Sequence, residues 1–486
     1  MAAVVVAGAL VMSGCGTRAS DQEIIDGLRA AAAPAGVGQS QLADSVDSSS
    51  SVAPDGGASL AGSTVPTGAQ GAPTGTHSGA GTAPAAAVAP GARAAHPVVH
   101  SIVSATSAGA DVPKDSAAIP GANAPTVVNK LPIRIGTLGS FSGVIGAVTE
   151  GSPKSLGAWV GYTNAHGGLG GHPIKLIVAD DQGDAATSLT LAKRLVETDH
   201  IVAMVANVTV FGFSQVEEYA RAKNIPLIGG DAVDGGWTKS TVAFPVSPGV
   251  SVQVIQGLRM MINAGIHKLG MLYCLEVSAV CTYLANEAQK SDVGRYLLES
   301  TQVSLVAPSY TSQCLRLKQE GVQAVSLVMD TAGAARVAKD CATQGYQPKI
   351  MLLSIDATKD MPRTPGLESA LIPGGTVSPA ARGVPGLDKY REVMRTYGSN
   401  VGDSGFGLLA YAAGELLLLA AKNLSDNPAP GDLFQGLWQI KNETLGGLTV
   451  PLTFAKGQPP AAKPCIFVWG VTGGHFSAPQ GAEQNC

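Results

Sequence analysis

Charge and aromatic rings are scarce in this chain of 486 residues: 14% are Asp, Glu, Lys or Arg and 5% are Phe, Trp or Tyr. The 32 Lys and Arg are outnumbered by 36 Asp and Glu and form no block or stripe. A nucleic-acid partner therefore has no electrostatic footprint here. Long apolar runs are also lacking. The longest near-apolar stretch, Leu408 to Ala421, is interrupted by Glu415 and falls short of the about 20 residues that span a bilayer. Catalytic signatures are missing: there is no G-x-S-x-G elbow, no H-E-x-x-H and no G-x-x-x-x-G-K-[ST] loop. The glycines from Gly167 to Gly171 precede a strand pattern instead of following one, unlike a dinucleotide fingerprint. The eight His residues form no evident cluster. No enzyme activity, cofactor or metal is expected.

What the N-terminus does have is an apolar run from Ala2 to Met12 that closes on Ser13-Gly14-Cys15. That order resembles a bacterial lipoprotein signal. It makes residues 1–15 a signal peptide ending at Cys15, the expected lipidated residue, and puts the rest of the chain on the outer face of the cell membrane. No Lys or Arg precedes the run, although signal peptides open with positive charge, so the start of translation is expected upstream of Met1. Residues 16–130 are rich in Ala, Gly, Pro and Ser. Such composition buries too little apolar surface to offset its ordering entropy, and a flexible tether is expected. Asp21 to Ala33 is the one stretch there with helical character, and His96 and His100 read as solvated.

Cysteine usage fits an oxidising compartment. Apart from Cys15, six remain: Cys274, Cys281, Cys314, Cys341, Cys465 and Cys486. An even number in an exported chain suggests disulfides. Connectivity is open from sequence alone, and pairing of neighbours is expected: Cys274–Cys281, Cys314–Cys341 and Cys465–Cys486. No CxxC pair with a nearby His supplies zinc spacing.

From Leu131 the pattern changes. Strands are expected at Ile133–Leu138, Ile174–Ala179, Ile201–Val205, Pro226–Gly229 and Thr241–Val246, with helices at Ser155–Ala165, Thr187–Thr198 and Phe213–Lys223 between them. The alternation then restarts. Strands are expected at Lys268–Cys274, Val303–Pro308, Ala324–Met329 and Ile350–Ser354, with helices at Cys281–Val293, Ser312–Glu320 and Thr331–Gln344. Strands alternating with helices of ten or more residues predict parallel sheets. Two such series predict an α/β chain of two doubly wound, Rossmann-like lobes. Ligands of open α/β sheets bind outside the carboxyl ends of the strands, so two facing lobes make a cleft walled by strand-to-helix loops.

Several segments in order resemble one family. They are Ile133-Arg-Ile-Gly-Thr-Leu-Gly-Ser-Phe-Ser-Gly143, Asn164-Ala-His-Gly-Gly-Leu-Gly-Gly-His-Pro173, Ala179-Asp-Asp-Gln-Gly-Asp184 and Phe244-Pro-Val-Ser-Pro248. The helix from Tyr310 to Gly321 and the late helix Gly407–Lys422, with its Tyr411-Ala-Ala, fit as well. Together they resemble the type I periplasmic binding proteins of the branched-chain amino acid group. The resemblance implies a domain over residues 131–486 with a three-strand hinge. Lobe 1 would hold about 132–247 and 379–448, and lobe 2 about 250–377 and 449–484. It also implies a small-molecule ligand, an amino acid or a relative, delivered by a monomeric protein to an ABC permease. A sensing or docking lipoprotein of the same fold is the alternative.

Candidate ligand residues lie at strand ends. Ser140, Phe141 and Ser142 follow the first strand; Ser142 can donate its hydroxyl or can simply turn the chain. Asn207, Val208, Thr209 and Phe211 follow the third, where the resemblance implies a site for a ligand carboxylate, with Thr209 the best choice. Asp231 and Ala232 follow the fourth; Asp231 can accept from an ammonium group or cap a helix, and Val233 removes a hydroxyl that an amino acid would use. In lobe 2, Glu276, Asp330, Thr331 and Asp356 are candidates, and the resemblance implies that Asp330 or Asp356 meets the ligand amine. Glu276 reads better as a loop or cap residue. Phe141, Phe211, Trp237 and Tyr310 are candidates for the cleft wall, although single aromatics are more often core. Asp180, Asp181 and Asp184 read as a strand end and helix cap instead of a metal site.

Overall fold

The computed structural model describes residues 130–398, 401–461 and 463–486. Cys15, the tether, the Asp21–Ala33 stretch, His96 and His100 lie outside the described residues.

The first sheet has the order β2-β1-β3-β4-β5 and is wholly parallel. Its strands are β1 (Ile133–Gly139), β2 (Ile174–Asp180), β3 (Ala203–Val205), β4 (Leu227–Ile228) and β5 (Ala243–Phe244). Helices Gly151–Ala165, Ala185–Glu197 and Phe213–Ala222 connect them. The second sheet has the order β12-β11-β10-β9-β8-β6-β7. β6 (Leu269–Cys274), β7 (Leu297–Val303), β8 (Ala324–Val328), β9 (Lys349–Leu352) and β10 (Leu371–Gly374) pair in parallel, while β11 (Phe467–Thr472) and β12 (His475–Ser477) run antiparallel. The fold is the two-lobed α/β arrangement that the alternation predicts.

One expected strand is displaced. The apolar run Val303–Pro308 is not a strand; β7 ends at Val303 and begins at Leu297. β7 is an edge strand, so its solvent side accepts polar residues, and Leu297-Leu-Glu-Ser-Thr-Gln-Val303 carries no continuous apolar signal. The residues after it form a loop held by Glu276, whose carboxylate accepts from Ser304 Oγ at 2.6 Å and from the Leu305 amide at 2.9 Å. The helix Val250–Asn263, which opens the second lobe, has no counterpart in the sequence reading.

Three crossings join the lobes, and they touch one another. Val377 N–H donates to the Leu448 carbonyl at 2.9 Å, and Thr376 bridges to Thr449. Gly375 packs so closely on Ser247 that a side chain there would collide with it. Trp469, buried in β11, donates from Nε1 to the Thr376 carbonyl at 2.8 Å. Between the second and third crossings, helices Pro385–Tyr397 and Gly405–Ala420 pack on helix Gly151–Ala165.

The helix extending over Gly405–Asn423 is long and apolar enough to cross a membrane by composition, yet it is largely buried in protein. Its Glu415 accepts from Trp159 Nε1 at 3.0 Å and pairs with Lys389 at 2.9 Å. That pairing explains how a carboxylate interrupts an otherwise apolar helix, since a buried charge is tolerated only with partners. All three expected disulfides are present: Cys274–Cys281, Cys314–Cys341 and Cys465–Cys486.

Gly405 N–H donates to the Ala357 carbonyl across the lobes at 2.9 Å, and a methyl group on Gly405 would overlap the Ser354 carbonyl oxygen. Gly405→Ala is expected to destabilise the chain by about 1–3 kcal/mol, the usual cost of overpacking. Gly431→Ala, at a helical site with open space around it, serves as the control. Equal melting temperatures for the two variants would contradict the close approach.

Asp231 is buried with only a long contact from the Val233 amide, 3.4 Å, and its Oδ2 has no partner. Burial pushes its carboxyl from 3.8 up to about 7, and the Asp234 charge adds to this. The folded state then binds more protons than the unfolded state between those values, so stability falls as pH rises from about 4 to about 7 and levels off above. Asp231→Asn is expected to flatten this part of the melting-temperature profile; identical profiles would contradict it.

Candidate functional site

The carboxyl ends of the two sheets face each other across an apolar cavity of about 80 Å³. Lobe 1 contributes Ile145, Val148 and Thr149 from the turns after β1, Val210 after β3, Val233 after β4 and Phe406 from the late helix. Lobe 2 contributes Cys274 at the end of β6 and Val277, Val280, Cys281 and Leu284 beyond it. Leu305 follows β7, Val328, Met329 and Asp330 end or follow β8, and Leu353, Ile355 and Asp356 follow β9. All the lining side chains except Thr149, Asp330 and Asp356 are apolar, counting the disulfide as such. Thr149 cannot donate to a ligand, because its Oγ1 hydrogen goes to the Ser140 carbonyl at 2.5 Å. The cavity adjoins a more polar space of about 540 Å³, with Val148 and Asp330 lining both.

The two acids are held differently. Asp330 is the N-cap of helix Thr331–Thr343 and accepts from the Gly333 amide at 3.0 Å. Asp356 ends the single turn Ser354–Asp356; its carbonyl accepts from Thr331 Oγ1 at 3.0 Å, while its carboxyl Oδ2 is buried without a partner. Burial, and secondarily the Asp330 charge, push the Asp356 carboxyl well above the usual carboxylate range. This end of the cavity therefore presents two carboxyl groups, one of them with an oxygen that has no partner in the protein.

The disulfide Cys274–Cys281 is part of the wall. It ties the end of β6 to helix Ser278–Lys290 and so holds the loop that carries Val277. Glu276, in the same loop, is spent on the backbone after β7, and those bonds hold its carboxyl below the usual range against the opposing effect of burial.

Of the candidate ligand residues, Asp330 and Asp356 line this cavity and the others do not, while Val233 and the Cys274–Cys281 pair, also singled out in the sequence, form part of its wall. Phe141 is half-buried and its amide donates to Asp180 Oδ1 at 3.0 Å. Ser142 is exposed at the start of the turn Gly143–Ile145. Ser140 is buried and bonded to Asp181 at 2.6 Å. Phe211 lies over Gly183. Thr209 and Asp231 are buried within lobe 1, each with an oxygen that has no partner. Ala232 is buried at φ 49°, a left-handed turn in which the Ala232 carbonyl accepts from the Val250 amide and after which Val233 lines the cavity. Trp237 stacks on Phe213 at 4.8 Å, and Tyr310 donates to the Ser304 carbonyl at 2.7 Å; both rings are core. Asp184 caps helix Ala185–Glu197 through the Thr187 amide, and Asp181 accepts from Ser140 and Ser188.

The sequence reading passed over the apolar liners, Val210, Val277, Val280, Leu305 and Ile355 among them. Their signal was positional: large apolar residues just beyond the carboxyl ends of strands, where polar loop residues are usual.

Among protein-family descriptions, that of the periplasmic binding proteins matches residues 132–467. No curated protein matches the chain. Solved structures do. A branched chain amino acid ABC transporter protein from Thermus thermophilus with bound valine has a TM-score of 0.64 at 16% identity, covering 71% of this chain and 94% of that one. A possible leucine/isoleucine/valine-binding protein from Rhodopirellula baltica has a TM-score of 0.63 at 16% identity, covering 73% and 98%. A fatty acid ABC transporter substrate-binding protein from Thermomonospora curvata has a TM-score of 0.60 at 16% identity, covering 72% and 92%. At such identities the likeness is one of fold, and it is the family match across both lobes that assigns this chain to the periplasmic binding proteins, a family of extracytoplasmic, non-enzymatic ligand receptors.

Proposed function

We propose that this protein captures a small molecule between its lobes and delivers it to an ABC permease, held at the outer face of the cell membrane by a lipid on Cys15. The observation that carries the reading is the interlobe cavity, whose walls come from strand ends of both sheets. A ligand bound there contacts both lobes at once, so it favours the closed arrangement through contacts that only that arrangement supplies. The solved structures titled as transporter components support the delivery step, and the sequence order ending in Ser13-Gly14-Cys15 supports the anchor.

The lobe division of 132–247 with 379–448 against 250–377 with 449–484 belongs to this proposal, as does a monomeric receptor. The expected amino-acid ligand rests on Thr209 and Ser142 for its carboxylate and on Asp330 or Asp356 for its amine; only the second pair lines the cavity.

A thermal-shift screen of the full chain tests the reading, with amino acids, amines, carboxylic acids, alcohols and small aromatics as the panel. A ligand bound only by the folded state stabilises it by about 2.7 kcal/mol at 100 times its dissociation constant. At least one class is expected to raise the melting temperature by several degrees. A flat profile from folded protein would contradict ligand capture and favour the docking role.

A further inference from the structure

The cavity keeps one half of an amino-acid site and lacks the other. Its acidic end has two carboxylates, Asp330 and Asp356, and the buried Asp356 Oδ2 has no donor. No Lys, Arg or His lines the cavity. The cations of the adjoining space, Lys154 and Lys359, lie outside the inner cavity on exposed side chains that pair with Glu150 at 2.8 Å and Asp360 at 2.7 Å. Arg336, which does not line the cavity, donates through one terminal nitrogen to the Leu305 carbonyl and lies over the Tyr310 ring, while its buried Nε has no partner. The one hydroxyl in the wall, on Thr149, already donates to Ser140. Within the inner cavity a ligand carboxylate would therefore meet no side-chain donor free to pair with it, at a cost of several kcal/mol for an unpaired ion in apolar surroundings.

Resting on the solute-binding reading above, we infer that the ligand is a hydrophobic amine without a carboxylate, its short apolar body in the interlobe cavity and its ammonium group at Asp330 and Asp356. An ammonium group supplies three donors and no acceptor, which matches two side-chain carboxyl groups of which Asp356 Oδ2 has no partner. Its charge also offsets the burial and the neighbouring Asp330 charge that disfavour an ionised Asp356. The apolar body is limited by the volume of about 80 Å³. That admits a short or branched alkyl group, with the head towards the polar space that Asp330 also lines. Val233 and the Cys274–Cys281 disulfide leave the apolar group no polar contact on either lobe.

Isoamylamine, leucine, isovalerate and isoamyl alcohol share one branched alkyl group and differ in the polar end, so they separate the possibilities. Titration calorimetry of the full chain is expected to show isoamylamine binding at least tenfold more tightly than each of the other three. Asp356→Asn is expected to weaken the amine at least tenfold and to leave the alcohol unchanged. Asp330→Asn keeps a good helix cap and should act the same way, which covers the case that Asp356→Asn does not fold. Tighter binding of leucine or isovalerate would overturn the inference and leave the solute-binding reading standing. Equal binding of amine and alcohol, or an amine indifferent to both substitutions, would overturn it as well. Failure of all four compounds overturns the inference, and the wider thermal-shift panel then decides whether the binding reading falls with it.

Discussion

Removal of apolar surface from water between the lobes is the constraint on which the rest of the arrangement depends. Val148, Val210 and Val233 on one side, and Val277, Leu305 and Ile355 on the other, sit at strand ends, where loops normally present polar groups to solvent. Each side alone would leave them wet. Facing one another, they remove apolar area from water at roughly 25 cal/mol per Å², a gain that is non-directional and tolerates small shifts between lobes. Charge plays a minor part in the inner cavity, which contains only the two acids at one end.

Backbone proximity sets how the lobes can meet. The three crossings touch at Ser247, Gly375–Thr376 and Thr449, and the late helix reaches the second lobe through Gly405, with no side chain between it and the Ser354 carbonyl. Further in, the Cys274–Cys281 disulfide and the Glu276 carboxylate hold the loops after β6 and β7 from both sides. These ties lower the ordering cost that a binding wall would otherwise meet when a ligand arrives. They also explain why valines and leucines can stand in loops there without collapsing onto one another.

Much of this architecture was legible in the chain. Strand and helix periodicity located the parallel strands β1, β2, β6, β8 and β9 to within a residue or two, and turn motifs such as Asn164 to Pro173 carried the family. The neighbour pairing of cysteines matches the three bonds present. The signal for β7 is diluted because an edge strand is half-wet, while Leu305 in the loop after it is apolar because it faces the interlobe cavity. Asp330 and Asp356 could be singled out because an acid following a buried strand stands at the ligand end of such a sheet. The cavity wall itself could not be read, because a valine facing another lobe and a valine facing its own core leave the same mark in sequence. Likewise, Asp231 is buried beside a left-handed turn at Ala232, which no local pattern announces.

The heat-capacity change of ligand binding tests the central claim most directly. Calorimetric titrations of the full chain with its tightest ligand, at several temperatures, give that change from the slope of the binding enthalpy. Burial of apolar surface makes it negative, and an apolar interlobe cavity that closes over its ligand predicts a distinctly negative value. A value near zero or positive, with binding otherwise intact, would mean that the ligand sits on a wet, polar surface and would contradict the account.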